Sequence, residues 1–544
     1  MGYRAELENL SRNRNAYVLA LSASMGSIFY GWDTGLIGGV LSLPSFQQYF
    51  GVDKLSASAQ ANLNGNIVSV LTAGCFFGAL STGYISGRFG RKKPLIASGL
   101  IYLIGSIIQT VSGIGSSQVV ALRVLYFSRF LGGFGLGMST ALIPSYVSEC
   151  TPKSIRGRCT GFIQASNNLG IMLSFWVNYG SILHVPFGQL QWRLPFAIQI
   201  IPGVLFVLLM LPQPESPRWL AEQQRYEEAA RSLAYAARSS VDDEAVVAIL
   251  GEIKADLAGK ERMPIWKQFH MMGESRVTAL RSFIPSLVML FQQWTGTNAI
   301  NYFSPEIFAG LGITGTSSGL FATGIYGIAK VVAVTTAVIF AVEKLGRKMC
   351  LLIGGLGQGF MMLWIGGYSA IHPQTTVVPA SYVSILAVYL YAIFYGIGYG
   401  PVPWIVASEV APNHVRTAAM SLAIGVNWLF SFTISRVTPN LLEGIKYGTF
   451  LLFGVCCMLM STWVYFFLPE TKGYALEDIR FLFEKDMMVR ALEDAPGGRV
   501  FLGGRRSIPV AELRKAATED STMVARSSDE KMSEEKVEAT TQSV

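Results

Sequence analysis

The chain has 544 residues, of which 51% are hydrophobic and only 14% charged. That is too apolar for an ordinary soluble protein and places it in a bilayer. The formal net charge of +8 comes from short basic loops and not from a basic domain, which excludes a nucleic-acid binder. The four histidines, His184, His270, His372 and His414, are scattered over loops. With no nucleotide-binding loop or metal cluster, the reading is of a non-enzyme that needs no cofactor.

In chain order, residues 1–16 form a polar amino-terminal stretch. Apolar runs of spanning length, roughly 20 residues each, follow at about 17–43, 65–86, 94–112, 124–148, 160–180 and 193–212. A polar segment, 213–280, carries helical patterning around 227–238 and predicts a few short amphipathic helices. A second set of runs lies at about 281–303, 317–342, 350–371, 380–407, 416–437 and 447–468. Residues 469–544 form a tail that becomes rich in Ser, Thr, Glu and Lys and is expected to be disordered after about 484. The fold class expected is an all-α membrane protein with twelve transmembrane helices in two six-helix bundles, 17–212 and 281–468.

Lys and Arg cluster in the second and fourth loops of each set, so the positive-inside rule places those loops, the central segment and both termini in the cytoplasm. The six cysteines lie in spans or beside these loops, so no extracellular disulfide framework is expected. No cleavable leader is apparent, and the sequon at Asn9 is read as chance.

The two sets carry the same marks. Gly-Arg-Phe-Gly-Arg-Lys-Lys at 87–93 returns as Glu-Lys-Leu-Gly-Arg-Lys at 343–348. Glu149, Pro152 and Arg156 return at the same spacing as Glu409, Pro412 and Arg416, and Pro-Glu-Ser-Pro at 214–217 returns as Pro-Glu-Thr-Lys at 469–472. Such repetition points to duplication of a membrane half, the architecture of a machine that rocks about a central site.

Together with Arg-Phe-Leu-Gly-Gly-Phe-Gly-Leu-Gly at 129–137, Gln-Gln-Trp-Thr-Gly-Thr-Asn at 292–298 and Gly-Pro-Val-Pro-Trp at 400–404, these strings resemble the sugar porter family of the major facilitator superfamily, including fungal monosaccharide and quinate-type transporters. The resemblance covers about residues 17–480. It implies a plasma-membrane carrier, functional as a monomer, that takes up a monosaccharide, by proton symport with alternating access. A sugar-acid or quinate permease, a facilitative uniporter and a non-transporting sensor are the alternatives.

Polar residues inside spans usually face a water-filled path. Gln164, Gln292, Gln293, Asn298, Tyr302, Trp404 and Asn427 match sugar-contacting positions of the family. Amides both donate and accept, which suits adjacent hydroxyls, and Trp404 offers a flat surface to a ring face. Asp33 and Arg129 lie at membrane depth and read either as proton-coupling hardware or as a structural ion pair. Arg88, Arg91, Glu149, Arg156, Glu215 and Arg218, with Arg347, Glu409, Arg416 and Glu470, resemble a cytoplasmic gating network.

The family pattern fails in the eighth span. Val331 stands where many sugar porters carry Asn, and beside it Lys330 lies about 13 residues from either end of the span, roughly 20 Å, too deep to snorkel. Two readings stay open for Lys330: it binds a carboxylate on the substrate, or it pairs with a protein carboxylate or helix carbonyls. Gly396 and Ser431 are further departures, so glucose specificity does not transfer.

Overall fold

A computed structural model describes residues 13–115, 117–152, 155–257, 263–313, 315–372, 378–474, 478–484, 486–502 and 506–515. The described residues form helices and connecting turns, with no strand. In chain order the long helices are α1 Arg14–Ser42, α2 Ala57–Phe89, α3 Lys92–Val111, α4 Gln118–Cys150, α5 Arg156–His184, α6 Gln189–Met210, α7 Arg276–Trp294, α8 Thr297–Gly310, α9 Thr316–Leu345, α10 Arg347–Ile371, α11 Pro379–Val410, α12 Asn413–Gly444 and α13 Gly448–Phe467. Among the described residues, nine of these, α2, α3, α4, α6 and α9 to α13, are long and apolar enough to cross a membrane.

The remaining expected spans are α1, α5 and the pair α7 and α8, and each falls short for a physical reason. Helix α1 carries Asp33 and a run of small residues, and α5 carries Gln164, Asn167, Asn168 and Asn178. Gly296, at φ +85°, separates α7 from α8. Non-helical backbone at Phe303 (φ −124°, ψ 20°) precedes Pro305, whose ring removes one backbone donor. Part of the polarity that lowers these helices on a hydropathy scale comes from residues expected to line a site, Asp33, Gln164, Gln292, Gln293 and Asn298 among them.

Small residues set how closely the first-half helices approach. A Cβ on Gly133 would overlap the Leu71 carbonyl, one on Gly137 the Cys75 carbonyl, one on Gly74 the Phe130 carbonyl and one on Gly78 the Phe134 carbonyl. Two stripes of glycines four residues apart, on α2 and α4, therefore lie backbone to backbone, the packing that Gly-x-x-x-Gly spacing permits in lipid. The glycines at 132–137 act in helix packing, as their place within a span suggests. Arg129 lies one turn from Gly133 and donates from Nε to the Ile67 carbonyl at 2.7 Å, one turn from Leu71. A Gly133→Leu variant should therefore separate α2 from α4 and displace Arg129. We expect a loss of at least about 1–3 kcal/mol, read as a lower midpoint of thermal unfolding in detergent.

The two halves meet along α2 and α12, where Thr72 and Ser435 share a hydrogen bond of 3.2 Å. They also meet along α5 and α9 and along α1 and α8. A Cβ on Gly38 of α1 would overlap the Tyr302 carbonyl of α8. The largest buried cluster lies mostly in the second half, with Val288, Tyr326, Tyr391 and Phe453, and takes in Ile171 and Phe175 from α5 of the first. Two others bridge the halves: one adds Ile424 and Trp428 to first-half residues, the other Tyr302, Phe303 and Leu320.

Between the halves, short helices occupy Pro217–Glu222, Tyr226–Ala237, Glu244–Leu257 and Ile265–Met271. Ser216 caps the first by accepting from the Trp219 amide, and the Trp219 indole donates to the Gly87 carbonyl at 3.1 Å. That bond ties the segment to the loop at 87–93. The expected disorder after about 484 is corrected in part. Helices Met487–Glu493 and Gly498–Leu502 are present, with Ala491 and Leu492 buried. The overall polar composition of the tail concealed a short apolar face that packs against α13. Residues 1–12, including the Asn9 sequon, and 516–544 lie outside the described residues.

Candidate functional site

Asp33 on α1 and Arg129 on α4 form an ion pair of 3.2 Å, with side chains 1% and 0% exposed. Arg129 Nε is held by the Ile67 carbonyl and its Nη1 by Asp33, while Nη2 has no hydrogen-bond partner. The arginine is therefore fixed to the α2 backbone whether or not Asp33 carries its charge.

In the second half the amides form two adjoining hydrogen-bonded groups, one on Gln292 and one on its neighbour Gln293. Gln292 donates to the carbonyls of Tyr399 (2.7 Å) and Gly400 (3.1 Å), in the interruption of α11 between Ile397 and Val402. Asn427 donates to Gln292 Oε1 at 2.9 Å. Asn298 donates to Gln293 Oε1 at 2.6 Å and to Ser431 Oγ at 3.1 Å. Gln292, Gln293, Asn298 and Asn427 are all buried. Ser431, a departure from the family pattern, is thus a partner of Asn298. Gln164 on α5 is half-buried, and Trp404 on α11, also half-buried, packs against clusters from both halves. Tyr302 is buried at the contact of α1 with α8.

Lys330 on α9 is 2% exposed. Its ammonium donates to Asn301 Oδ1 at 3.0 Å and Thr297 Oγ1 at 3.3 Å and lies 4.6 Å from the centre of the Tyr395 ring and 5.8 Å from that of Tyr326. Tyr326 itself donates to Asn301 Oδ1 at 3.3 Å. Among the described residues no carboxylate lies within ion-pairing distance of Lys330, and its hydrogen bonds go to side-chain oxygens, not helix carbonyls. Thr297 adjoins Asn298 and Asn301 adjoins Tyr302, so the first turns of α8 connect the cation to the amide set. Gly396 also has a structural reason: a Cβ there would lie 2.7 Å from the Ala333 Cβ and 2.8 Å from the Val334 amide, leaving no room for a larger side chain.

Sequence reasoning did not single out Thr297, Asn301, Tyr326 or Tyr395. Thr297 lay inside a string already noted, and Asn301 one turn beyond it. Nothing in the sequence links Tyr326 and Tyr395 to Lys330, because aromatic residues in spans usually serve packing.

At the end bearing the basic loops, two equivalent clusters form. Glu215 accepts from the backbone amides of Arg91 (2.8 Å) and Lys92 (3.0 Å) at the start of α3. Glu470 accepts from those of Arg347 (2.9 Å) and Lys348 (3.0 Å) at the start of α10. Each carboxylate satisfies amides that a helix N-terminus leaves open and complements its dipole. The preceding residues, Gly90 (φ +89°) and Gly346 (φ +91°), have no side chain to collide with these carboxylates, where a Cβ would. Arg91 pairs with Glu149 at 3.1 Å and Arg347 with Glu409 at 2.8 Å. Ser216 donates to Glu149 and Thr471 to Glu409.

Of the ten residues expected in this network, these six are joined by the contacts among the described residues. Arg88 turns instead to the Tyr84 hydroxyl and its own neighbour Phe89. Arg218 pairs with Asp256 and Glu222, because it lies on the side of its helix facing Glu244–Leu257. Arg156 is exposed beside the first cluster and Arg416 half-buried at the start of α12. Truncation of Glu149 to Ala should leave Arg91 without its ion-pair partner, whereas Glu409→Ala leaves Arg347 the longer pair with Glu343 at 3.4 Å. A loss of about 1.5–3 kcal/mol in the packing of this end should appear as longer distances between spin labels placed across it.

A family model described as sugar (and other) transporter matches residues 19–483. A probable quinate permease of Aspergillus fumigatus is 34% identical over 487 residues, covering 88% of this chain and 89% of the relative. The quinate permease of Neurospora terricola is 35% identical over 485 residues, covering 87% and 89%. Among solved structures, the proton:xylose symporter XylE bound to 6-bromo-6-deoxy-D-glucose superposes with a TM-score of 0.73 at 28% identity, covering 87% of this chain and all of that one. The inward-open conformation of XylE from E. coli gives 0.71 at 28% identity, covering 86% and 100%.

Proposed function

The chain belongs to the sugar (and other) transporter family and is a multi-pass membrane carrier of the major facilitator fold, and from that premise we propose that it moves a polyhydroxylated carboxylate of the quinate type together with a proton. The observation that carries this reading is Lys330: a buried ammonium beside the amide set, bonded to neutral oxygens, with no carboxylate of the described residues in ion-pairing reach. A buried charge without a counter-charge is costly, and a substrate carboxylate would supply one. The amides of Gln164, Gln292, Gln293, Asn298 and Asn427 then suit the hydroxyls, with Trp404 against the ring. The names of the quinate permeases among its relatives agree with this chemistry.

In this reading α1, α5 and the pair α7 and α8 cross the bilayer with the nine apolar helices, making twelve spans in the halves 17–212 and 281–468. The basic-loop end, residues 213–280 and both termini face the cytoplasm, and the carrier works as a monomer in the plasma membrane. Protonation of Asp33 removes its charge and releases its hold on Arg129, so that proton and substrate together favour the closed, substrate-filled arrangement. The paired clusters at Glu149 and Glu409 close the cytoplasmic end, and their separation opens it.

The second reading is a neutral monosaccharide, favoured by the amide set and Trp404, with Lys330 then a fixed structural cation. Labelled quinate, galacturonate, glucose and xylose, offered to cells lacking their own carriers with and without a protonophore, separate the two. Quinate should accumulate and be lost with the protonophore. Accumulation of glucose with no transport of, or competition by, quinate would establish the second reading, and equilibration unaffected by the protonophore would establish facilitation.

A further inference from the structure

We propose that residues 486–502 with 506–515 act as a strap on the second half's charged cluster and that Ser507 is its phosphorylation-controlled release point. The strap is joined to that cluster directly. Lys348, in the loop string beside Arg347, donates from its ammonium to the carbonyls of Tyr465 (2.8 Å) and Ala491 (2.6 Å). Glu470, which caps α10, donates its own amide to Asp494 at 3.3 Å, and the Tyr465 hydroxyl donates to the Pro496 carbonyl at 2.9 Å. Ala491 and Leu492 bury the apolar side of the strap. The first half is served differently: there the central segment continues from Glu215, and Ser232 donates to the Glu215 carbonyl.

The far end of the strap is held at Ser507 and Ile508, and beyond them by Arg514, which pairs with Asp478 at 3.6 Å. The Ser507 amide donates to Glu493 at 2.8 Å and its hydroxyl donates to the other oxygen of the same carboxylate. Arg490 donates to the Ile508 carbonyl at 3.0 Å, and the Ile508 amide points to Asp486 at 3.4 Å. Ser507 is half-buried in a non-helical stretch, between exposed Arg506 and Ile508, and follows two arginines in the sequence. That is a chain shape and charge that a basic-directed protein kinase can engage. In the transfer, Ser507 Oγ forms a bond to the γ-phosphorus of a nucleoside triphosphate, the bond to the β-phosphate oxygen breaks, the nucleoside diphosphate leaves and the hydroxyl proton goes to the kinase base. Phosphoserine no longer donates to Glu493 and sets a charge of about −2 against that carboxylate. Repulsion from Glu493, with Asp486 and Asp494 nearby, frees the strap and removes its support of Lys348 and Glu470.

The cytoplasmic supply of kinase rests on the orientation proposed above, so the test uses detergent-solubilised full-length protein, in which sidedness plays no part. It is treated with a basic-directed kinase and ATP, phosphate is mapped by mass spectrometry, and amide exchange is followed over 487–502. The expected result is phosphate on Ser507, absent from Ser507→Ala, with exchange over 487–493 faster by about tenfold or more. Glu493→Gln should reduce that acceleration, since the repelling charge is gone. No phosphate at Ser507, unchanged or slower exchange after phosphorylation, or a response unaffected by Glu493→Gln would each overturn the proposal. Phosphorylation in detergent but not in intact cells would instead count against the orientation.

Discussion

An Asp33→Asn variant is expected to bring its substrate only to equal concentrations inside and outside, while still exchanging labelled for unlabelled substrate at close to the native rate. Asn keeps the shape of Asp33 and can still accept from Arg129, but it cannot alternate between charged and neutral forms. Coupling is lost and the rocking motion is kept. The partner variant behaves differently. Arg129→Leu leaves Asp33 buried without its counter-charge and also removes the bond to the Ile67 carbonyl, so a loss of about 3–5 kcal/mol in stability is expected. The double variant Asp33→Asn with Arg129→Leu should recover part of that loss, because the uncompensated charge is gone. Thermal unfolding measures the stability terms, and proteoliposome uptake with and without an imposed proton gradient measures the coupling. Continued accumulation by Asp33→Asn would remove the proton role from this pair.

The second large effect concerns Lys330. Methionine has a similar length and no charge, so Lys330→Met removes the ammonium from between Thr297, Asn301 and Tyr395 with little change of volume. If the ammonium binds a substrate carboxylate, the variant loses a charge-assisted hydrogen bond of about 1.5–3 kcal/mol. That corresponds to roughly ten- to over a hundredfold weaker binding of the carboxylate. Binding of a neutral hexose, if any, should change little. The folded protein should become no less stable, since the variant relieves the burial of an unpaired charge.

The parts of this architecture legible in the sequence were those marked by an exceptional residue. Lys330 stood out because an apolar run rarely carries a charge, and Asp33 with Arg129 for the same reason. Arg91, Glu149, Arg347 and Glu409 were legible as members of one network because each half repeats them, though not which arginine meets which glutamate. The roles of Glu215 and Glu470 were not: each caps a helix that begins more than a hundred residues earlier, a relation no local pattern carries. The break at Gly296, which lets Asn298 reach Gln293 and Ser431, is hidden in a string that reads as one continuous span. The order of residues 487–502 was missed because composition averaged over the tail outweighs the few apolar side chains that dock. Arg88 and Arg218 were expected in the gating network because they share its strings, but the face a side chain takes depends on neighbours that only folding supplies.

Direct binding tests the central claim, that a substrate carboxylate is recognised by Lys330 beside the amide set. Calorimetric titration of purified full-length protein with quinate and with its uncharged methyl ester, for the native chain and for Lys330→Met, isolates the contribution of that single charge. The native protein should bind quinate at least about tenfold more tightly than the ester, and the variant should bind the two equally. Equal affinities in the native protein, or a preference for quinate that survives in Lys330→Met, would contradict the account.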